Sequence, residues 1–169
     1  MWKKILVIII LFYFFALLQS SFFTHFNLFG IVPNLVFIFF SLLVFFQQKN
    51  KTHQLIFLAI IAGFVLDIFS YTYLGPSIVS LIVTGFLLKK IQSLLKNRED
   101  SRPFIYFLPL FLVCFTVYEV LFAVYLRFLD PSHILLSFNF KFLVEAVYNL
   151  VFASIGFWIM KKYAKTIQN

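Results

Sequence analysis

Long apolar runs alternate with short polar interruptions along the whole chain. Six of these runs are about as long as the ~20 helical residues that cross a hydrocarbon core. They lie near 5–22, 29–47, 55–72, 76–94, 103–126 and 139–160. The interruptions carry turn and loop residues, as in QQKNKTHQ at 47–54 and LDPSH at 129–133. The pattern predicts an all-α, polytopic membrane protein, with six transmembrane helices in one compact domain over residues 1–169.

Composition indicates that lipid is part of the solvent of this protein. Of 169 residues, 63% are hydrophobic, 27 are Phe, and only 12% are charged. A soluble domain of this length cannot hide so much apolar surface. Cys114 is the only cysteine in the sequence, which excludes a disulfide framework and a thiolate metal cluster. Its setting, LFLVCFTV, predicts a small buried hydrophobe rather than a nucleophile.

The net charge of +8 follows from the predicted topology. With a cytoplasmic N-terminus and six spans, 12 of the 14 basic residues fall on the cytoplasmic side. These are Lys3, Lys4, Lys49, Lys51, Lys89, Lys90, Lys96, Arg98, Arg102, Lys161, Lys162 and Lys165. Only Arg127 and Lys141 fall outside. The asymmetry predicts six spans with both termini in the cytoplasm. A lipid-headgroup or nucleic-acid role for the basic cluster at 89–102 is the weaker alternative, and no nucleic-acid partner is predicted.

The first run, MWKKILVIIILFYFFALLQSS, is similar to a signal peptide, with a basic start and an apolar stretch of suitable length. Cleavage after Ser20 would place Leu18 at the −3 position, where a small residue is preferred. We therefore expect an uncleaved first helix.

Three carboxylates interrupt the predicted helices, at Asp67, Glu119 and Glu145. A carboxylate at a helix centre costs ~2.5–3.5 kcal/mol on the insertion scale, so each needs a partner, a proton or a water-filled setting. The predicted topology places all three in the outer half of their helices, where they can share one layer. Lys141, Glu145 and Asn149 are spaced i, i+4, i+8 and line one helix face.

Two interpretations of these polar residues remain open from spacing alone. In the first, the carboxylates hold the helices together through hydrogen bonds. Gly63 shares a helix face with Asp67 and lets a neighbouring helix approach closely, which favours this interpretation. In the second, they line a polar cavity that opens outward and holds a ligand, an ion or a partner side chain.

Enzymatic motifs are missing from the sequence. It has no HExxH and no GxSxG, and its three His residues are dispersed over different connections. Glu119 and Glu145 have the chemistry of an acid and a base, but nothing in the sequence positions a nucleophile or a metal beside them. We predict no enzymatic activity, no cofactor and no metal site.

Two segments resemble motifs of the MreD family, the bacterial rod-shape-determining membrane proteins. In GFVLDIFSYTYLG, a Gly is followed by an Asp four residues on and by Leu-Gly seven residues after the Asp. The matching positions are Gly63, Asp67, Leu74 and Gly75. VPNLVF resembles the family's Pro-Asp-Leu at the start of its second helix. Pro33 and Leu35 match it, and Asn34 replaces the usual Asp.

The resemblance implies a non-enzymatic component of the cell-elongation machinery in the bacterial inner membrane. Such proteins help organise lateral peptidoglycan synthesis beside the bitopic MreC protein, the MreB filament, the SEDS-type glycan polymerase and its transpeptidase. The family is also similar in fold to the six-helix substrate-binding components of ECF transporters. That similarity supplies the alternative function: a small-molecule-binding transporter subunit with an outward cavity near Asp67, Glu119 and Glu145.

Overall fold

The computed structural model is built almost entirely from helices. It describes residues 2–27, 30–47, 52–70, 73–95, 103–130 and 140–167. The six main helices are α1 (Trp2–Leu17), α2 (Leu35–Phe46), α3 (Thr52–Phe69), α4 (Pro76–Leu95), α5 (Pro103–Leu129) and α6 (Phe140–Ile167). Past its end, α1 continues through a π-helical segment, Leu18–Phe22, and a short helical turn, Phe23–His25. The predicted all-α bundle of six helices is confirmed.

Five of these helices are long and apolar enough to cross a membrane, and α2 is the exception. The apolar run at 29–47 predicted a full span, but its helix covers only the 12 residues Leu35–Phe46. At 1.5 Å per residue this helix is about 18 Å long, well short of the ~30 Å hydrocarbon core. Residues 31–34 are not helical. Pro33 disfavours helical geometry at the residue before it, so the helix begins only after this segment.

The short helix α2 forms the centre of the bundle. Nine of its 12 residues are buried, and it contacts α1, α3, α4 and α6. Phe37 packs its ring against Phe111 and Phe115 of α5, and Phe45 packs against Phe107 and Phe157. Phe side chains are the largest fully buried groups, so much of the chain's Phe content fills this core.

Side chains of α4 complete the hydrogen bonding at the C-terminal end of α2. The last carbonyls of a helix have no partner within it. Gln92 donates from Nε2 to the Phe45 carbonyl at 2.8 Å, and Lys89 donates from Nζ to the Gln47 carbonyl at 2.7 Å. The ends of α2 and α4 therefore lie together, and Phe157 of α6 packs against Phe45 and Phe46 at the same place. We call this the basic end of the bundle, because Lys89, Lys161 and Lys162 lie there.

Helices α3 and α4 form the most extensive helix pair. A Cβ atom built on Gly63 would lie 2.5 Å from the Ile78 Cα and 2.6 Å from its backbone nitrogen. No real Cβ fits at that distance, so glycine is required for the two backbones to touch. The opposite end of this pair, where α3 turns into α4, is the Asp67 end of the bundle.

Candidate functional site: a polar layer at the Asp67 end

Asp67 joins the end of α3 to the start of α4. Its side chain is 1% exposed. One carboxylate oxygen, Oδ2, accepts a hydrogen bond from the Gly75 backbone N–H at 2.7 Å. The other, Oδ1, accepts from the Ser77 backbone N–H at 3.0 Å. Asp67 therefore caps α4 from another helix, and its negative charge lies where the helix dipole favours an anion.

The local sequence makes this cap possible. Gly75 has φ of 120°, a conformation that glycine adopts without the steric cost of a side chain. Pro76 is the first residue of α4, where its fixed φ suits the helix and its missing N–H removes one donor that would need a partner. The two donors on either side of Pro76 are those that Asp67 satisfies.

A chain of polar contacts extends from this cap through the bundle. The Tyr118 hydroxyl of α5 donates to the Ser77 Oγ of α4 at 3.4 Å and also faces the Asn34 side chain. The Asn34 backbone N–H donates to Asn149 Oδ1 of α6 at 2.7 Å. We call these residues the polar layer: Asn34, Asp67, Ser77, Tyr118 and Asn149. It connects α3, α4, α5, α6 and the start of α2.

Besides donating its backbone N–H to Asn149, Asn34 caps helix α2. Its Oδ1 accepts from the Phe37 backbone N–H at 3.0 Å, which makes it the N-cap of α2. Asn149, which is fully buried, donates from Nδ2 to the Glu145 carbonyl at 2.9 Å. An uncharged Asn therefore performs the capping at the position where the family motif has Asp.

Glu119 and Glu145 form a separate pair between α5 and α6. Both side chains are half-buried, and the two carboxylates interact electrostatically with each other. Lys141, one turn before Glu145, is exposed. The structure thus brings Glu119 and Glu145 together, whereas both carboxylate oxygens of Asp67 bind backbone N–H groups at the start of α4.

A cavity of about 290 Å³ lies between the ends of α1 and α3. It is lined by Ala16, Gln19, Ser20, Thr24, Leu66, Phe69 and Ser70. Asp67, Glu119 and Glu145 do not line it, so it is not the cavity that the sequence placed beside those carboxylates. Its polar wall comes from the segment QSSFFTH at 19–25, where the first apolar run becomes polar.

The remaining motif residues lie around the layer. Pro33 is buried beside the N-cap of α2, whereas Leu74 is 66% exposed in the turn before Gly75. Sequence reasoning missed Asn34 and Tyr118 as members of the layer. Each contacts residues far away in the chain, and no spacing rule connects positions that distant. The only sequence signal was a polar group within an otherwise apolar run.

The polar layer is a network of hydrogen bonds that connects the helices. Among the residues that the structure describes, no group of three or more His, Cys, Asp or Glu side chains is arranged to hold a metal ion. Cys114 is fully buried in the core. Every member of the layer contacts backbone or side-chain groups of another helix, which fixes the helices relative to one another.

The comparisons with known proteins point to one family. The family model described as rod shape-determining protein MreD matches residues 2–166, nearly the whole chain. No curated protein and no solved structure matches the sequence. The match includes both the Gly63–Gly75 segment and the start of α2.

Proposed function

The chain belongs to the MreD family of rod shape-determining proteins, and from this membership we propose that it is a non-enzymatic component of the bacterial cell-elongation machinery. In this role it helps organise lateral peptidoglycan synthesis and so maintains rod shape. The observation that carries the proposal is the family match over residues 2–166.

The five long apolar helices and the family make this a multi-pass membrane protein. We assign it to the bacterial inner membrane, with the basic end and both chain termini in the cytoplasm. The support is the distribution of charge: Lys89 and Lys90 lie near the end of α4, and Lys161 and Lys162 near the end of α6. Basic residues accumulate on the cytoplasmic side of membrane proteins.

The partners that we propose are an MreC-like bitopic protein, the MreB filament, the SEDS polymerase and its transpeptidase. Within the chain we assign two different roles to the polar residues. Asp67 and Asn149 hold the helices together, because their oxygens accept backbone N–H groups. Glu119 and Glu145 are the candidates for partner contact, because they are only half-buried and lie beside each other between α5 and α6.

Depletion of the protein in a rod-shaped bacterium tests this function. We expect the cells to widen and round, and a fluorescent cell-wall precursor to lose its incorporation along the side wall. Expression of the full chain from a second locus should restore both. Unchanged width and unchanged side-wall labelling after depletion would contradict the proposal. Retention of a vitamin-sized ligand by the purified protein, together with an ATPase partner, would support the transporter alternative instead.

A further inference from the structure

The cavity between the ends of α1 and α3 combines an apolar floor with a polar wall. Ala16, Leu66 and Phe69 form the floor, and the wall carries an amide and three hydroxyls. At about 290 Å³, its volume is near the lower end of the range for small-ligand pockets. The lining residues carry no charge at neutral pH, so the cavity has no electrostatic preference for an ion.

The wall of this cavity presents hydrogen-bond acceptors without matching donors. The Gln19 Oε1 atom is buried and has no hydrogen-bond partner among the residues described. Ser20 donates its hydroxyl to the Leu17 carbonyl at 3.4 Å, and Thr24 donates to the Ser21 carbonyl at 2.7 Å. A hydroxyl has one hydrogen, so both oxygens remain available only as acceptors. The unpaired Gln19 Oε1 and these two hydroxyl oxygens therefore favour an occupant that donates hydrogen bonds, although the amide nitrogen of Gln19 also offers donors.

The backbone of α1 changes its geometry at this place. The segment Leu18–Phe22 is π-helical, and it contains Gln19 and Ser20 of the cavity wall. Such segments are rare and frequently mark functional sites in helices. The interruption thus coincides with the unpaired Oε1 of Gln19, which is a second observation on the same site.

The surroundings of the cavity indicate where its occupant comes from. Tyr13 and Phe14 on α1, and Phe64 and Ile68 on α3, are each about half exposed. The Tyr13 ring contacts Phe69, a lining residue, at a centroid distance of 5.8 Å. Exposed apolar faces of both helices therefore lead up to the cavity, and they suit acyl chains that run along the bundle.

We propose that this cavity binds the headgroup of a membrane lipid that carries free hydroxyls, of the phosphatidylglycerol class. The glycerol hydroxyls donate to Gln19 and to the hydroxyl oxygens of the wall, and the acyl chains lie along α1 and α3. This inference goes beyond the proposed function and does not depend on it.

Native mass spectrometry of the full-length protein tests the proposal. The protein in detergent is mixed with equal amounts of phosphatidylglycerol and phosphatidylcholine that have identical acyl chains, and bound lipids are counted. Phosphatidylcholine has no hydrogen-bond donor in its headgroup. We expect a preference for phosphatidylglycerol of about threefold for each hydrogen bond formed, and a marked reduction of that preference in Gln19→Leu.

Gln47→Leu is the matched control, because the Oε1 of Gln47 is likewise buried without a described partner but lies at the basic end. This variant should keep the full preference. Thr24→Val provides a second variant at an exposed position, should Gln19→Leu fail to fold, and it should also reduce the preference. Equal binding of both lipids by the unmodified protein would overturn the proposal and favour a side chain of a partner helix as the occupant. Displacement of the lipid by free glycerol would overturn the assignment to a lipid.

Discussion

The Asp67 carboxylate and the Gly75 backbone N–H are joined by a hydrogen bond of 2.7 Å that links the end of one helix to the start of the next. The bond spans eight residues of sequence and closes the turn between α3 and α4. With the second bond to Ser77 at 3.0 Å, it occupies both oxygens of the carboxylate. This geometry determines how substitutions at position 67 should behave.

Asp67→Asn should destabilise the protein by about 1 kcal/mol and Asp67→Leu by about 2–3 kcal/mol. The amide of Asn keeps one acceptor but turns an NH₂ group towards a backbone donor, and Leu leaves both donors without a partner. Thermal unfolding of the purified variants in detergent measures the order. A normal unfolding temperature for Asp67→Asn, combined with rounded cells, would instead make this carboxylate a contact site for a partner.

Gly63→Ala should destabilise the protein by about 1–3 kcal/mol, because the new methyl group meets the Ile78 backbone of α4. Gly85→Ala is the matched control within a neighbouring helix. There the new Cβ would lie 3.1 Å from the ends of the Leu55 and Phe40 side chains, which can shift. Denaturation curves of both variants give the comparison, and equal losses at the two sites would contradict the close backbone contact.

Asn149→Ala should cost about 1–3 kcal/mol, because it leaves the half-buried backbone N–H of Asn34 without its acceptor. The same substitution at Asn27 serves as the control, since Asn27 is exposed and its bonds, to Thr24 and Gly30, are local. We expect Asn27→Ala to change stability by less than about 0.5 kcal/mol. An unchanged stability of the Asn149→Ala variant would show that other contacts hold the start of α2.

Glu119→Gln and Glu145→Gln, alone and together, should leave the unfolding temperature unchanged or slightly higher. Two carboxylates that interact across a helix interface repel each other when both are charged. If these residues contact a partner, as we propose, the double variant should reach normal abundance but fail to restore cell width after depletion. Full restoration of cell width by the double variant would show that Glu119 and Glu145 do not contact a partner.

Reporter fusions test the orientation in the membrane. A reporter at Asn169 should be active in the cytoplasm, and one inserted at 129–138 should be active outside, because the basic end carries the lysines of α4 and α6. Opposite results at the two sites would show that the bundle has the reverse orientation in the membrane. An N-terminal residue at Ser21 in the mature protein would show that the first helix is removed.

The number and approximate positions of the helices could be predicted from the apolar runs, and so could the close packing at Gly63. The run at 29–47 predicted a helix that is too long, because hydropathy indicates the surroundings of a segment and not its backbone conformation. Its first residues are as apolar as a helix but lie before Pro33 and the N-cap at Asn34.

The polar layer was only partly accessible from the sequence. Helical spacing placed Asn149 on the face of Glu145, but its acceptor bond goes to Asn34, 115 residues away. Nor does the sequence show that both oxygens of Asp67 accept hydrogen bonds from backbone N–H groups. Such long-range partners depend on how the helices pack, which a single sequence does not encode in any local pattern.

The dependence of α2 on α4 imposes an order on biosynthesis. When the ribosome has made residues 35–46, this segment is too short to be stable alone in the lipid, and its last carbonyls have no donors. Lys89 and Gln92, which supply those donors, emerge about forty residues later at the basic end. We therefore expect the central helix to complete its hydrogen bonding only after residues 89–92 of α4 have been made. Until then, the segment that becomes α2 has to be protected from lipid.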